Sequence, residues 1–298
     1  MVYCAGGHSM QYVRIALFPC FLICICLVIF PPAHACTIWA ATGEDVKGGG
    51  GIIAKNRDNL SHLYTALKGV SYEKGFSFYG LFDTEANGYV TAGVNEKGLV
   101  VVNASANSVP KTKRHTATED LTQRLLTSFD SVTSVLSESD LFRKSHPAIY
   151  IIGDASRIAS IEVAPGANIS ISMKENGSLA FTNHYTSPDL DIANEQHSTG
   201  SLMRLERIQY LLSCRKSPFG IDDFIAFSND ATGSSEGALW RSSVAPNTIR
   251  TLASWIIHVP RNGPPVLHVR LANDNETERT VTIVLDGAFW REVKGGVP

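Results

Sequence analysis

The first group in this chain equipped to do chemistry is Cys36, and its placing decides what that chemistry is. It directly follows Ala33-His34-Ala35, which comes after Arg14, the apolar run Ile15–Phe30 (IALFPCFLICICLVIF) and the breaker Pro31-Pro32. A basic point, an apolar core, a helix breaker and an Ala-x-Ala site describe an export signal that is cut after its last small residue. Cleavage there makes Cys36 the first residue, which then offers a thiol and a free α-amine together. An α-amine ionises at about 7.7–8.0, so near neutrality a usable fraction is neutral and able to accept the thiol proton. Nucleophile and base then share one rigid frame without a separate histidine.

The leader has two other readings. A membrane anchor needs roughly 20 apolar residues, and Ile15–Phe30 falls short. Lipid attachment at Cys36 would make the chain a lipid-anchored binding protein, an alternative of another class, with thiol and amine both blocked. Lipoprotein signals prefer a Leu-like residue three before the cysteine, whereas Ala33 stands there with bulky His34 following. Residues 1–35 are therefore expected to be a signal peptide, with Met10 an alternative start. Residues 36–298 are expected to be one catalytic domain, exported to the periplasm or beyond and off the membrane after cleavage.

Composition narrows the partners. The 298 residues are 44% hydrophobic and 18% charged, with a net charge of −2, which is ordinary for a globular domain. That balance, with no basic run, argues against nucleic acid. The His residues lack ligand spacing, so neither a metal nor another cofactor is expected. Cys4, Cys20, Cys24 and Cys26 all precede the cleavage point, leaving Cys36 and Cys214. This excludes a disulfide framework and leaves one Cys36–Cys214 bridge open, as in a β-rich binding or structural protein. The expected partner is a small molecule, and homo-oligomerisation is left open.

The elements that must position Cys36 read mostly as short strands. Cys36–Thr42 and Gly51–Asn56 form a hairpin around the glycine-rich Gly43–Gly50, and Tyr89–Val94 and Leu99–Ala104 flank a turn at Asn95-Glu96-Lys97-Gly98. Further strands are expected at Ala148–Ile152, Ile158–Val163, Asn168–Met173, Leu179–Asn183, Thr251–His258, Val266–Leu271 and Thr280–Leu285. Helical spacing appears in the block Leu121–Leu136, behind Thr118-Glu119-Asp120, and again over Ser201–Leu212, with a short helix at Ile221–Phe227. This alternation predicts a layered α+β domain. Asn59–Tyr79 and Ala104–Thr118 read as loops shaping a substrate pocket. The aromatics Tyr64, Tyr72, Phe76, Phe78 and Tyr79 in the first hint at an apolar acyl group.

Four segments then carry a resemblance. Cys36-Thr37 opens a strand that returns as Ile53-Ala54-Lys55-Asn56-Arg57-Asp58-Asn59. Asn95-Glu96-Lys97-Gly98-Leu99, Phe181-Thr182-Asn183-His184 and Ser201-Leu202-Met203-Arg204-Leu205-Glu206-Arg207 follow in order. Together they resemble the N-terminal nucleophile cysteine hydrolases of the choloylglycine hydrolase, penicillin V acylase and acyl-CoA:6-aminopenicillanate acyltransferase group. Asn-Arg-Asp is closest to the acyltransferase-like branch.

The resemblance implies an αββα sandwich of two stacked antiparallel sheets between helical layers. It implies cleavage of a linear N-acyl amide through a thioester on Cys36, or transfer of the acyl group to another amine. By the same resemblance Asp58 holds the amine of the nucleophile, Asn183 helps form the oxyanion hole, and Arg204 sits beside the thiol. The family's first-strand arginine falls on Lys55, with Arg57 two residues on. Its second oxyanion asparagine falls by spacing on Ser105, with Asn103 and Asn107 to either side. Taken singly, Asp58 reads more readily as a turn residue, Asn183 as a strand end and Arg204 as a surface charge, and it is their joint order behind Cys36 that favours the functional roles. His184 suggests a Cys–His dyad, a pairing that the resembled family does not use.

Overall fold

The computed structural model describes residues 1, 35–84, 88–114, 120–243, 245, 248–274 and 276–296. The export-signal reading, apart from Ala35, lies outside them. Two strands dominate the start, β1 (Ala35–Thr42) and β2 (Gly51–Leu60). Every residue of β1 is buried and every one of β2 except Leu60, the pattern of strands covered on both faces. Their hairpin closes at Gly50, where φ is +93° and a Cβ would lie 2.2 Å from Val259 O. Only glycine suits that position. β2 runs past the expected Asn56, so Asp58 is a strand residue and not a turn residue.

Three more strands, β3 (Thr65–Val70), β4 (Phe78–Asp83) and β5 (Val90–Asn95), lead to β6 (Val100–Ser105). The expected loop Asn59–Tyr79 is thus an error, because it contains all of β3 and the start of β4. Its aromatics pack elsewhere: Phe78 is buried under the helices, and Tyr79 meets Trp255 and Phe289 between the sheets. β7 (Ala148–Gly153), β8 (Ile158–Ala164), β9 (Asn168–Lys174) and β10 (Gly177–Phe181) follow, then β11 (Ile249–Val259), β12 (Val266–Leu271) and β13 (Arg279–Val284).

The strands form two antiparallel sheets, one ordered β10-β1-β2-β11-β12-β13 and the other β3-β4-β5-β6-β7-β8-β9. Strand alternation sorts the side chains. Ile38, Ala40 and Ile53 face Val94, Val102 and Ile151 of the opposite sheet. Trp39, Ala41, Ile52 and Ala54 face outward onto a helical layer. That layer is α3 (Thr199–Cys214) and α4 (Ile221–Ser228). The other sheet is covered by α1 (Leu121–Ser128) and α2 (Val132–Ser137), through Leu125, Leu126, Val132 and Val135. The result is the αββα sandwich.

The block Leu121–Leu136 is two helices, since Ser131 caps a fresh one through Ser134 and breaks the run. Asp120, read as a start signal, does cap α1, accepting from Gln123 N. A final helix, α5 (Gly287–Lys294), was not expected; it tucks Phe289 and Trp290 against the inter-sheet core. Cys36 and Cys214 are both free thiols, one buried and one exposed, so the bridge and the protein class built on it fall away. Among the described residues no helix is long and apolar enough to cross a membrane.

The outer helical layer should carry much of the stability. Phe224 is fully buried and stacks on Trp39 at 6.0 Å. Phe224→Ala should cost about 3–5 kcal/mol by urea denaturation, whereas Ile192→Ala, at 92% exposure, should stay within about 0.5 kcal/mol of the parent.

Candidate active site

The pairing of β1 with β2 sets the site. Cys36 lies opposite Arg57, Ile38 opposite Lys55, and Ala35 opposite Asp58. Directly opposed residues share a face, so Cys36, Lys55 and Arg57 project between the sheets, while Asp58 points to the helical side with Thr37 and Asn56. Cys36 is 4% exposed and lines a cavity of about 340 Å³ together with Lys55, Arg57, Asn103 and Ser105. Asp83, Arg114 and Asp120 also line it.

The backbone nitrogen of Cys36 donates to Asn183 Oδ1 at 2.9 Å. Arg204, on α3, donates to that same oxygen from Nη2 at 3.1 Å, to Thr37 Oγ1 from Nε at 3.3 Å and to Glu236 O from Nη1 at 3.1 Å. Its hydrogen bonds therefore fall on the backbone side of Cys36. Asn183 follows the end of β10, and its Nδ2 donates to Ser105 O at 2.9 Å. Its own N–H donates to Ser201 Oγ at 3.1 Å, so α3 anchors both the chain and the amide of Asn183. His184 Nδ1 lies 2.8 Å from Ser201 Oγ and 3.2 Å from Thr182 Oγ1. Burial lowers its pKa, helped by His197 and Arg204. It is not among the residues lining the Cys36 cavity.

Lys55 is one of the cations that line the cavity. Its Nζ donates to Thr91 O at 2.9 Å, Asn103 O at 2.7 Å and Asn103 Oδ1 at 3.2 Å, which uses all three of its donors. Burial pulls its pKa from 10.5 to about 8, and the neighbouring Cys36 partly opposes this. Arg57 is engaged with Asp83. Asn103 spends both amide hydrogens on Val90 O at 3.1 Å and Thr122 Oγ1 at 2.8 Å.

Asp58 is fully buried, and a β-bulge in β11 brings Thr251 opposite it. Thr251 Oγ1 donates to Asp58 Oδ1 at 2.7 Å, and Arg241 Nη1 stands 3.9 Å from Oδ2. Oδ2 accepts no hydrogen bond among the described residues. Burial raises the pKa of Asp58, against Arg204, Arg241 and the Thr251 bond. No group of three or more His, Cys, Asp or Glu residues suited to a metal occurs among the described residues.

The structure thus gathers Cys36, Asp58, Asn183, Arg204, Lys55, Arg57, Asn103 and Ser105 into one region. Asp83, Thr91, Arg114 and Asp120 were not singled out in the sequence. Asp83 ends β4, a strand that carries no motif, Thr91 acts through its backbone oxygen within the expected strand Tyr89–Val94, and Asp120 reads in the sequence only as a helix start.

Two stacked antiparallel sheets between helical layers are the architecture of the N-terminal nucleophile hydrolase fold. The chain belongs to the acyl-coenzyme A:6-aminopenicillanic acid acyl-transferase family, whose model matches residues 46–275. That match includes Lys55, Asp58, Asn183 and Arg204 and begins after Cys36. No curated protein matches the chain. Among solved structures, penicillin V acylase from Agrobacterium tumefaciens aligns with a TM-score of 0.50 at 15% identity, over 84% of this chain and 86% of that one. A variant of conjugated bile acid hydrolase from Clostridium perfringens aligns at 0.47 and 12% identity, over 84% and 92%. At 15% identity the likeness to the acylase is one of fold.

Lys55 yields a direct test of the site's electrostatics. Below about pH 8 its ammonium is charged both folded and unfolded, so the burial cost is fully present. Between about 8 and the unfolded 10.5 the unfolded chain binds the extra proton, and stability from this group rises with pH. The Lys55 ¹³Cε resonance should titrate near pH 8, far below that of an exposed lysine.

Proposed function

We propose that the chain is exported, that cleavage after Ala35 frees Cys36, and that the mature protein cleaves linear N-acyl amides with Cys36 as nucleophile. The observation that carries this reading is the Cys36 nitrogen, 2.9 Å from Asn183 Oδ1, on a residue whose side chain lines the cavity beside Lys55. A nucleophile whose own amine is to act needs that amine held at one defined place.

In the proposed reaction the α-amine takes the thiol proton, and the thiolate attacks the amide carbon. The charge on the carbonyl oxygen falls on the second Nδ2 hydrogen of Asn183 and on backbone N–H groups. The ammonium then protonates the departing amine, leaving a thioester. Water, deprotonated by the same amine, releases the acid and restores the thiol. Asn183 Oδ1 and Asp58 Oδ2 hold the amine. Arg204 acts as a positioning residue, fixing the Asn183 amide through Oδ1. Lys55 supplies the positive charge that favours thiolate. The family match favours a second outcome, in which an amine and not water takes the acyl group. Added amines partitioning the products into new amides would reveal it.

Sequencing of the exported protein should return Cys36 first with an unblocked amine; a lipidated terminus would end the mechanism. Cys36→Ala should abolish amide cleavage while Cys214→Ala leaves most of it, with N-acyl amide panels scored by released amine. An uncleavable form retaining one alanine before Cys36 turns the amine into a peptide N–H. It should lose about 10²–10⁴-fold in rate, with its fold intact by circular dichroism and His184→Ala still active. The reverse pattern would assign the base to His184. The alkaline limb of activity should fall near pH 8 as Lys55 loses its proton, and Lys55→Arg, which does not titrate there, should move that limb upward.

A further inference from the structure

The segment that carries Asn183 is fastened residue by residue. Asn183 N donates to Ser201 Oγ, and Asn183 O accepts from Ser108 N at 3.1 Å. Tyr185 is held by Asn194, whose Oδ1 accepts from Tyr185 N and whose Nδ2 donates to Tyr185 O, both at 2.9 Å. The Tyr185 hydroxyl donates to Val163 O at 2.6 Å. The next two backbone N–H groups then go to a single carboxylate, that of Glu162. Thr186 N donates to Oε2 at 2.6 Å and Ser187 N to Oε1 at 3.1 Å. Thr186 Oγ1 adds a third bond, to Oε1 at 3.3 Å.

Glu162 is an unusual residue for its place. It lies on β8 opposite Ile149 and Ser170, on the face it shares with Ile158 and Ala164 toward the inter-sheet core. It is 4% exposed, and among the described residues no cation answers it. Burial raises its pKa, and only the bonds from Thr186 and Ser187 oppose this. A buried charge without a cation is costly unless donors satisfy it, and here the donors all come from the segment after Asn183. An ionised carboxylate is acceptor on both oxygens, and its bonds are roughly twice as strong as neutral ones. The tie also crosses the sandwich. Asn183 follows β10 of the six-stranded sheet, whereas β8 and β6 belong to the seven-stranded one. Asn183 Nδ2 must reach Ser105 O on β6 across that same gap, so its aim depends on how the segment is held against the second sheet.

We propose that Glu162 is a positioning residue of the Cys36 site: it fastens the segment Asn183–Ser187 to β8 and so holds the Asn183 carboxamide between the Cys36 nitrogen and Ser105 O. Its effect on turnover rests on the amidase reading; the holding of Asn183 does not. Glu162 is not among the residues lining the Cys36 cavity, so it reaches the chemistry only through the backbone of this segment. Under the amidase reading the Asn183 carboxamide serves the amine and the oxyanion, and neither role adds to ground-state binding. Loosening it therefore lowers kcat and leaves KM in place. Glu162→Gln keeps the size of the side chain but sets an NH₂ group where one of the two backbone donors needs an acceptor.

Measurements on the exported protein test this. In the wild type the Thr186 and Ser187 amide hydrogens should exchange as slowly as that of Asn183, opening with it as one unit, a readout that needs no variant to fold. In Glu162→Gln the Asn183 Nδ2 cross-peaks of an asparagine-labelled ¹⁵N spectrum should move, and alkylation of Cys36 by iodoacetamide, read by peptide mass, should slow. Toward the N-acyl amide that the wild type cleaves, kcat should fall about 10–100-fold, with KM within about two-fold of the parent. Val135→Ala, at a buried site under α2 and away from the cavity lining, should lose stability without moving the cross-peaks or kcat. Fast exchange at Thr186 and Ser187 beside a protected Asn183, unmoved Asn183 cross-peaks, or a kcat loss matched by Val135→Ala would overturn the proposal. If the wild type cleaves no amide while the cross-peaks and the alkylation rate respond to Glu162→Gln, the amidase reading fails and the positioning role stands.

Discussion

One oxygen atom ties this site together. Asn183 Oδ1 accepts from the Cys36 nitrogen and from Arg204 Nη2, and so joins the start of β1, the segment after β10 and the helix α3. A carboxamide has a definite end for each partner, and here both ends are spoken for. With Oδ1 turned to Cys36 and Arg204, Nδ2 must face β6, where it meets Ser105 O. Reversing the amide would set its NH₂ against two donors and its oxygen against a carbonyl, all in buried surroundings where unmatched polar groups cost about 1–3 kcal/mol each. Arg204 therefore needs no contact with the sulfur to matter: it chooses the orientation of the group that meets the reacting residue.

The second constraint is the two-residue period of β2. Lys55 and Arg57 must share one face and Asn56 and Asp58 the other. The strand thereby sends two cations into the cavity and one carboxylate behind it. Charges of opposite sign are separated by the backbone instead of neutralising one another side by side. Asn56 shows what the helical side is built for, since its Nδ2 donates to Ser228 O at 2.9 Å and Leu239 O at 2.7 Å, fastening α4 and the following segment. Changing Asn56 would be felt as a packing fault, and changing Lys55 as an electrostatic one, although the two are neighbours.

How far the sequence announced all this depends on range. The β1–β2 hairpin was legible because Gly48, Gly49, Gly50 and Gly51 punctuate two β-rich runs, and the helix α3 because its apolar stripe repeats at helical spacing. The family was legible from four ordered motifs. β3 and β4 were not, because Thr65–Val70 and Phe78–Asp83 lack alternation: their strands are held by pairing with each other and by contacts from distant chain. Asn103 was weighed as an oxyanion donor on spacing alone, whereas its hydrogens serve Val90 and Thr122. Arg114 stands in no motif of the sequence. Only the fold brings it into the lining of the cavity that holds Cys36.

Asp58 carries the argument about cleavage one step further. In the chain that still contains Ala35, Ala35 is the register partner of Asp58, and the carboxylate is left with Thr251 on one oxygen and a distant Arg241 on the other. Burial then favours its protonated form. Under the proposed processing, Ala35 departs and the peptide N–H of Cys36 becomes an ammonium one residue from the position paired with Asp58. A positive charge arriving beside a buried carboxyl favours the carboxylate, and the carboxylate in turn favours the ammonium. The two groups thus titrate as a pair, and the fraction of that pair whose amine is neutral is the one able to take the thiol proton. Removing the leader would then do more than expose a thiol. It would convert a buried acid with an unused oxygen into the counter-ion of the catalytic base, and this ties the activity of the site to the covalent state of its first residue.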